Sequence, residues 1–324
     1  MKTEKELRDL YRHSLLPDLV VLEKERKKVC KKLYAISGGT LAAVLLIAAL
    51  TIRDIEAQFN LLFIFGIIWF MISAITYRAT TRNYVSDFKQ KIIRKIVSFI
   101  DETLTYNPDA SIPMAWFTGS DIFKRYPDRY KGDDFVEGKL GATEIKFSEI
   151  HAEYKTETTD SKGRRQTHWH TIFKGLFFVA DFNKNFKGKT VVLPDTAERI
   201  FGHLGKMFQS WNVSRDQLIK LEDVEFEKAF AVYGTDQIEA RYILSTSLMK
   251  RITDFKEKTK KQIHLSFVNS QINIAISYKK NLFEPRVFQT ILNFQSIQEY
   301  FDDLTLAVGI VEDLNLNTRI WGKE

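Results

Sequence analysis

The 324-residue chain is 44% hydrophobic and sparse in glycine and proline, with 15 and 6 of them, which excludes a disordered or fibrous polypeptide. Its net charge of +7 is concentrated. Residues 1–33 hold ten basic against six acidic side chains, residues 78–106 hold six against three, and residues 107–324 are left with only +1. A nearly neutral C-terminal region carries no phosphate-binding footprint, so nucleic acid is excluded as the expected partner.

Residues 1–32 form an amphipathic helical segment. Leu7, Leu10, Tyr11 and Leu15 recur at helical spacing, and Pro17 is expected to interrupt the helix and to start a second one. Such a segment lies on a membrane surface or packs on the folded domain. Cys30 is the single cysteine, so no disulfide forms within the chain, as expected in a reducing cytoplasm. Its juxtamembrane position would also suit lipidation, although an ordinary thiol is the simpler reading.

Residues 33–77 dominate the sequence. Leu33–Ile52 and Ala57–Tyr77 are uncharged throughout, separated only by residues 53–56. Twenty helical residues span about 30 Å, the thickness of a bilayer's hydrocarbon core, so the pattern predicts a two-span transmembrane hairpin. Arg26, Lys27, Lys28, Lys31 and Lys32 precede it, Arg78 and Arg82 follow it, and the connecting residues are slightly acidic. By the positive-inside rule both termini face the cytoplasm, and a lipid bilayer is the first expected partner. Gly38 with Ala42 and Gly39 with Ala43 form small-xxx-small pairs. They are expected to receive the second span, with a homo-oligomer as the other use. Trp69 lies too deep for an interfacial belt.

Residues 78–106 read as a helical extension of the second span, with Val85, Phe88, Ile92, Ile93, Ile96, Val97, Ile100 and Leu104 in one stripe and Asn107-Pro108 as the stop. Residues 107–324 then change period. Strands are expected at Asp134–Leu140, Thr143–Lys155, Gln166–Phe182, Lys189–Leu193, Leu218–Glu222, Phe230–Tyr233, Ile263–Val268 and Gln271–Tyr278. Helices are expected at Thr196–Trp211, Asp236–Leu244, Thr246–Lys256 and Phe294–Leu316. Turns fall at residues 160–163, at Asn183–Gly188 and at Asn269-Ser270. Grouped strands with hairpins define an α+β class: a transmembrane helical hairpin followed by a cytoplasmic antiparallel α+β domain.

The candidate chemistry is thin. His168 and His170 point to one face of a strand, and a turn centred on residues 160–163 would bring Glu153 and His151 opposite them. A His/His/Glu set suits zinc or iron, and it underlies an alternative reading as a membrane-associated metal-dependent hydrolase. The register decides it, because a one-residue slip separates the groups. No G-x-G-x-x-G, P-loop, G-x-S-x-G or H-E-x-x-H is present. No catalytic residue or cofactor is therefore assigned. Gly202-His203-Leu204-Gly205 fits close helix packing better than phosphate binding, and the carboxylates at Glu222, Asp223, Glu225 and Glu227 suit a solvated face or a helix N-terminus.

Gly175-Leu176-Phe177, Val192-Leu193-Pro194-Asp195, Leu221-Glu222-Asp223-Val224-Glu225-Phe226 and Phe230-Ala231-Val232-Tyr233 carry a resemblance that continues through Asp236, Glu239-Ala240-Arg241-Tyr242 and Leu244 to Met249. In these runs the chain resembles a bacterial membrane-protein family known only as domain of unknown function 3137. The resemblance implies a bacterial inner-membrane protein with a cytoplasmic domain and transfers no catalytic residue. Physically, Phe226, Phe230, Val232 and Tyr242 read as core. Asp236 reads as an N-cap closing a capping box with Glu239, and Arg241 reads as a partner for Glu222 or Asp223. The function expected is a non-enzymatic, membrane-anchored module that binds a protein partner or senses the membrane. A channel or transporter subunit ranks last, since neither span carries an interior charge.

Overall fold

The computed structural model describes residues 2–51, 55–159, 163–182, 184–194 and 216–318. The expected turn residues 160–162, loop residues 53–54, Asp195, and the helix over residues 196–211 with its Gly202-His203-Leu204-Gly205 lie outside them. The chain divides into two compact units. One gathers residues 2–96 with Phe283–Phe301, and the other gathers Val97–Leu282 with the residues from Asp302 onward.

In the first unit, α1 (Glu4–Leu10) runs through a π-helical turn at Tyr11–Leu15 directly into α2 (Leu16–Thr51). Thr3 and Glu6 close a capping box at its start. Pro17 does not interrupt this helix, contrary to the sequence expectation. Its ring would crowd a regular carbonyl four residues back, and the wider π turn, with Leu16 N–H donating to the Tyr11 carbonyl, accommodates it. The second long helix, α3 (Ile55–Phe88), likewise passes through a π turn at Lys89–Ile93 into α4 (Arg94–Ile100). It stops at Ile100 rather than at Tyr106. Asp101 caps a turn there, accepting from Thr103 N–H at 2.9 Å, and Thr105–Asn107 pairs as a strand instead.

The second unit is built on a nine-stranded antiparallel sheet. Its strands are β1 (Thr105–Asn107), β2 (Arg129–Leu140), β3 (Thr143–Thr159), β4 (Arg165–Asp181), β5 (Thr190–Pro194), β6 (Gln217–Ile219), β7 (Phe230–Gly234), β8 (Ile263–Val268) and β9 (Gln271–Ser277). They lie in the order β1-β2-β3-β4-β9-β8-β5-β7-β6. The α+β class read from the sequence is the observed one. The β8–β9 turn places Asn269 and Ser270 at φ +54° and +57°, the left-handed pair that a two-residue hairpin requires.

Cross-strand register separates the two faces. One carries Phe147, Leu176, Phe178, Ile263, Leu265, Phe267, Ile272, Ile274 and Ile276, all buried. The other is mixed and buries a cluster of Ile112, Phe117, Ile122, Ile150, Ala152, Phe173, Phe177, Val179 and Ala275. Phe117 comes from α5 (Met114–Gly119), a helix too short to show periodicity in the sequence. Gly175 sits at φ +150° with the Ile276 carbonyl where a Cβ would be, so only glycine fits. Among the described residues four further helices follow: α6 (Val224–Ala229), α7 (Gln237–Ile243), α8 (Thr246–Thr259) and α9 (Phe294–Asp313). Lys258 of α8 pairs with Asp313 of α9 at 2.7 Å.

Candidate functional site

The apolar stretches of α2 and α3 are long and apolar enough to cross a membrane, and almost none of that surface is buried. Phe63, Phe70 and Ile75 are 72%, 68% and 65% exposed, with Leu46, Ile47, Ile64 and Met71 similarly open. Polar side chains hold the pair together instead. Trp69 Nε1 donates to the Ser37 carbonyl at 3.0 Å, and the Ser37 and Ser73 hydroxyls meet at 3.4 Å. Trp69 is thus an interhelical donor. The expected packing of the second span on the small residues is not observed: Gly38, Gly39, Ala42 and Ala43 are exposed, and a Cβ at either glycine would meet nothing within 4 Å.

Of the flanking basic residues, Lys27, Lys28, Lys31, Lys32, Arg78 and Arg82 are exposed. Arg26 is different. Its Nε and Nη2 donate to Glu23 at 2.9 and 2.7 Å, and Nη1 donates to the Val287 carbonyl at 2.9 Å. Cys30 Sγ donates to the same carbonyl at 3.1 Å, and Ile291 N–H donates to Glu23 at 3.2 Å. Tyr11 completes this clasp, its hydroxyl donating to the Leu292 carbonyl at 2.6 Å. The Arg26 guanidinium holds the Glu23 carboxyl below its usual range, against the opposing effect of burial. Cys30 is a hydrogen-bonded structural thiol, and residues 287–292 belong to the helical unit. No local sequence signal marks that long-range contact.

The histidine set does not converge. A bulge between Ala152 and Glu153 shifts the β3–β4 register, so Glu153 faces Thr171, and His170 and His168 face Tyr154 and Thr156. Residues directly opposite share a face, so Glu153 lies on one side and both histidines on the other. His151 Nε2 is 3.7 Å from Glu153, which pairs with Arg129 at 3.1 Å, and that guanidinium lies 3.8 Å over Trp169. On the other face His170 bonds the Thr156 hydroxyl at 2.8 Å and stacks on Tyr154 at 4.9 Å. The one-residue slip removes the expected metal set.

Among the described residues, the acidic cluster is instead Asp133, Asp134 and Glu149, with one carboxylate oxygen from each within 4.8 Å of the others. A β2 bulge makes it. Asp133 pairs with Glu149 and Val136 with Phe147, while Asp134 adopts φ +58°. Asp134 accepts from the Tyr106 hydroxyl, and Glu149 accepts from Leu282 N–H at 2.8 Å. Burial first, then the charge of Asp134, holds the Tyr106 phenol well above its ordinary range, so it remains a donor. Three carboxylates at this spacing have the hard-oxygen chemistry that holds a divalent cation. They are a placement, not a reaction.

The motif residues take several different positions. Asp223 caps α6, accepting from Glu225 and Phe226 N–H at 3.0 Å each, while Glu222 is exposed. Asp236 caps α7 through Ile238 and Glu239 N–H at 2.7 and 3.1 Å. Glu239 does not close the expected capping box. Its carboxylate takes Lys187 N–H at 2.8 Å and Gly188 N–H at 2.6 Å, tying the β4–β5 loop to α7. Arg241 donates to the Lys220 carbonyl at 3.3 Å rather than pairing with Glu222 or Asp223. Phe226, Phe230 and Val232 are core, but Tyr242 is 42% exposed beneath Lys184.

Fold and site together define an antiparallel α+β domain on a chain with two helices long and apolar enough to cross a membrane. Residues 171–316 match a family model described as protein of unknown function (DUF3137), the family that the motif residues resemble. No curated protein and no solved structure matches the chain.

Proposed function

We propose that this chain is a bacterial inner-membrane protein whose two-helix anchor holds the sheet domain at the cytoplasmic face, where it binds a protein partner or senses the bilayer. The exposed apolar surface of α2 and α3 carries the reading, because isolated patches of that size are not stable in water. The flanking Lys and Arg give the orientation, each contributing about 1 kcal/mol near anionic lipid. Gly38 and Gly39 leave the outer face of α2 open to a second copy. Alkaline carbonate extraction of membranes tests the anchor: the chain stays in the pellet, and release into the supernatant refutes it. Protease added outside intact cells leaves the C-terminal region whole; digestion would reverse the topology. Crosslinking in membranes that yields only monomer would remove the homo-oligomer.

A further inference from the structure

Phe288 is 58% exposed on a loop remote in sequence from the apolar helices. Its ring stacks on Tyr77, with centroids 6.0 Å and planes 24° apart, and meets Tyr34 at 6.2 Å and 48°. Tyr34 is the second residue of the first apolar run and Tyr77 closes the second, so the three rings gather at one end of the hairpin. That same end carries Lys31, Lys32, Arg78 and Arg82, all exposed. The loop is fixed in place: Arg26 and Cys30 hold the Val287 carbonyl, Glu23 holds Ile291 N–H, and Tyr11 holds the Leu292 carbonyl. A phenylalanine left in water forgoes about 1.5–3 kcal/mol of burial, and here the surrounding bonds keep it open.

We propose that Phe288, on the exposed turn of the clasped loop, forms a third membrane contact, inserted at the boundary between headgroups and acyl chains. The occupant is the bilayer itself. Tyr rings such as those of Tyr34 and Tyr77, on which Phe288 packs, concentrate at that depth, the neighbouring basic side chains complement anionic headgroups, and the patch continues the exposed apolar surface of the helices. This rests on the anchor reading above. It also places a lipid contact inside the family-matched segment, 171–316, among whose described residues no helix is long and apolar enough to cross a membrane.

The test uses the full chain with Cys30→Ser, which keeps a donor to Val287, in phosphatidylcholine–phosphatidylglycerol vesicles. Single cysteines at Phe288→Cys, and at Gln289→Cys with Phe288 retained, receive an environment-sensitive fluorophore. Leu46→Cys is the deep control and Glu222→Cys the aqueous one. Both loop positions show blue-shifted emission and quenching by spin-labelled lipids near the headgroup, and little quenching by labels near the chain ends. If both behave like Glu222 while Leu46 is quenched from the chain ends, the loop contact is wrong and the anchor stands. If Leu46 is unquenched, the anchor itself fails. Energy transfer between differently labelled chains, without lipid quenching at 288 or 289, would assign the patch to a second copy and overturn the proposal.

Discussion

Glu23 is the most informative single perturbation. It is 5% exposed, receives two bonds from Arg26 and one from Ile291, and Arg26's own side chain is 11% exposed. Glu23→Ala leaves a nearly buried guanidinium without its counter-charge and a buried N–H without an acceptor. Removing one partner of such a pair costs about 3–5 kcal/mol. The retained bond from Arg26 to the Val287 carbonyl puts the expectation near the lower end, about 3 kcal/mol. Glu23→Gln keeps an acceptor for Ile291 and loses less. Glu23→Gln combined with Arg26→Met recovers much of the loss, because no charge is then stranded. Thermal unfolding in detergent reads the stability, and hydrogen exchange over residues 283–293 locates it. The sign with pH is set by the lowered carboxyl: its stabilisation is present above the ordinary value of 4.5 and disappears only as the pH falls through the lower folded value. Equal stability of Glu23→Ala and wild type, or a double variant as weak as Glu23→Ala, would refute the argument.

Gly188→Ala drives a methyl into the Glu239 carboxylate and the Thr235 hydroxyl, so it should cost about 1–3 kcal/mol by freeing the Lys187 and Gly188 N–H groups, measured by chemical denaturation. His168→Ala should leave any bound zinc or iron unchanged in elemental analysis, because the histidines and Glu153 lie on opposite faces of the ribbon. Asp121 is partly buried, which opposes ionisation, but Lys124 and Lys189, each at 2.8 Å, bring its carboxyl below the ordinary 3.8. Asp121→Asn should therefore be destabilised by about 1 kcal/mol at neutral pH, with the gap closing only in acid below that value.

Much of the sheet was legible because alternation and turn residues act locally. Gln271–Ser277 and Ile263–Val268 alternate around Asn269-Ser270, and the structure pairs them there. The failures are equally physical. The stripe through Leu104 suggested a helix to residue 106, yet an Asp101 turn and cross-strand partners on β2 outweigh local periodicity beyond Ile100. A π turn leaves no pattern that would reveal how Pro17 is tolerated. The histidine set failed on one extra residue at a bulge, which changes every facing on the ribbon from Glu153 outward. Glu239 was misassigned because its partners, Lys187 and Gly188, lie some fifty positions away. Phe288 carried no signal at all, since its meaning comes from Tyr34 and Tyr77.

The clasp on Val287 and Ile291 has a consequence for biosynthesis. The apolar helices leave the ribosome early, whereas the segment that satisfies Glu23 and Arg26 emerges more than 250 positions later. Throughout that interval the ion pair lacks its backbone partners, and the helical unit is unfinished until residues 287–291 have emerged. A nascent chain stalled before residue 283 should therefore have a helical pair whose Glu23 and Arg26 face is loose and easily degraded, so that quality control reads the arrival of a distant segment in helices made long before it.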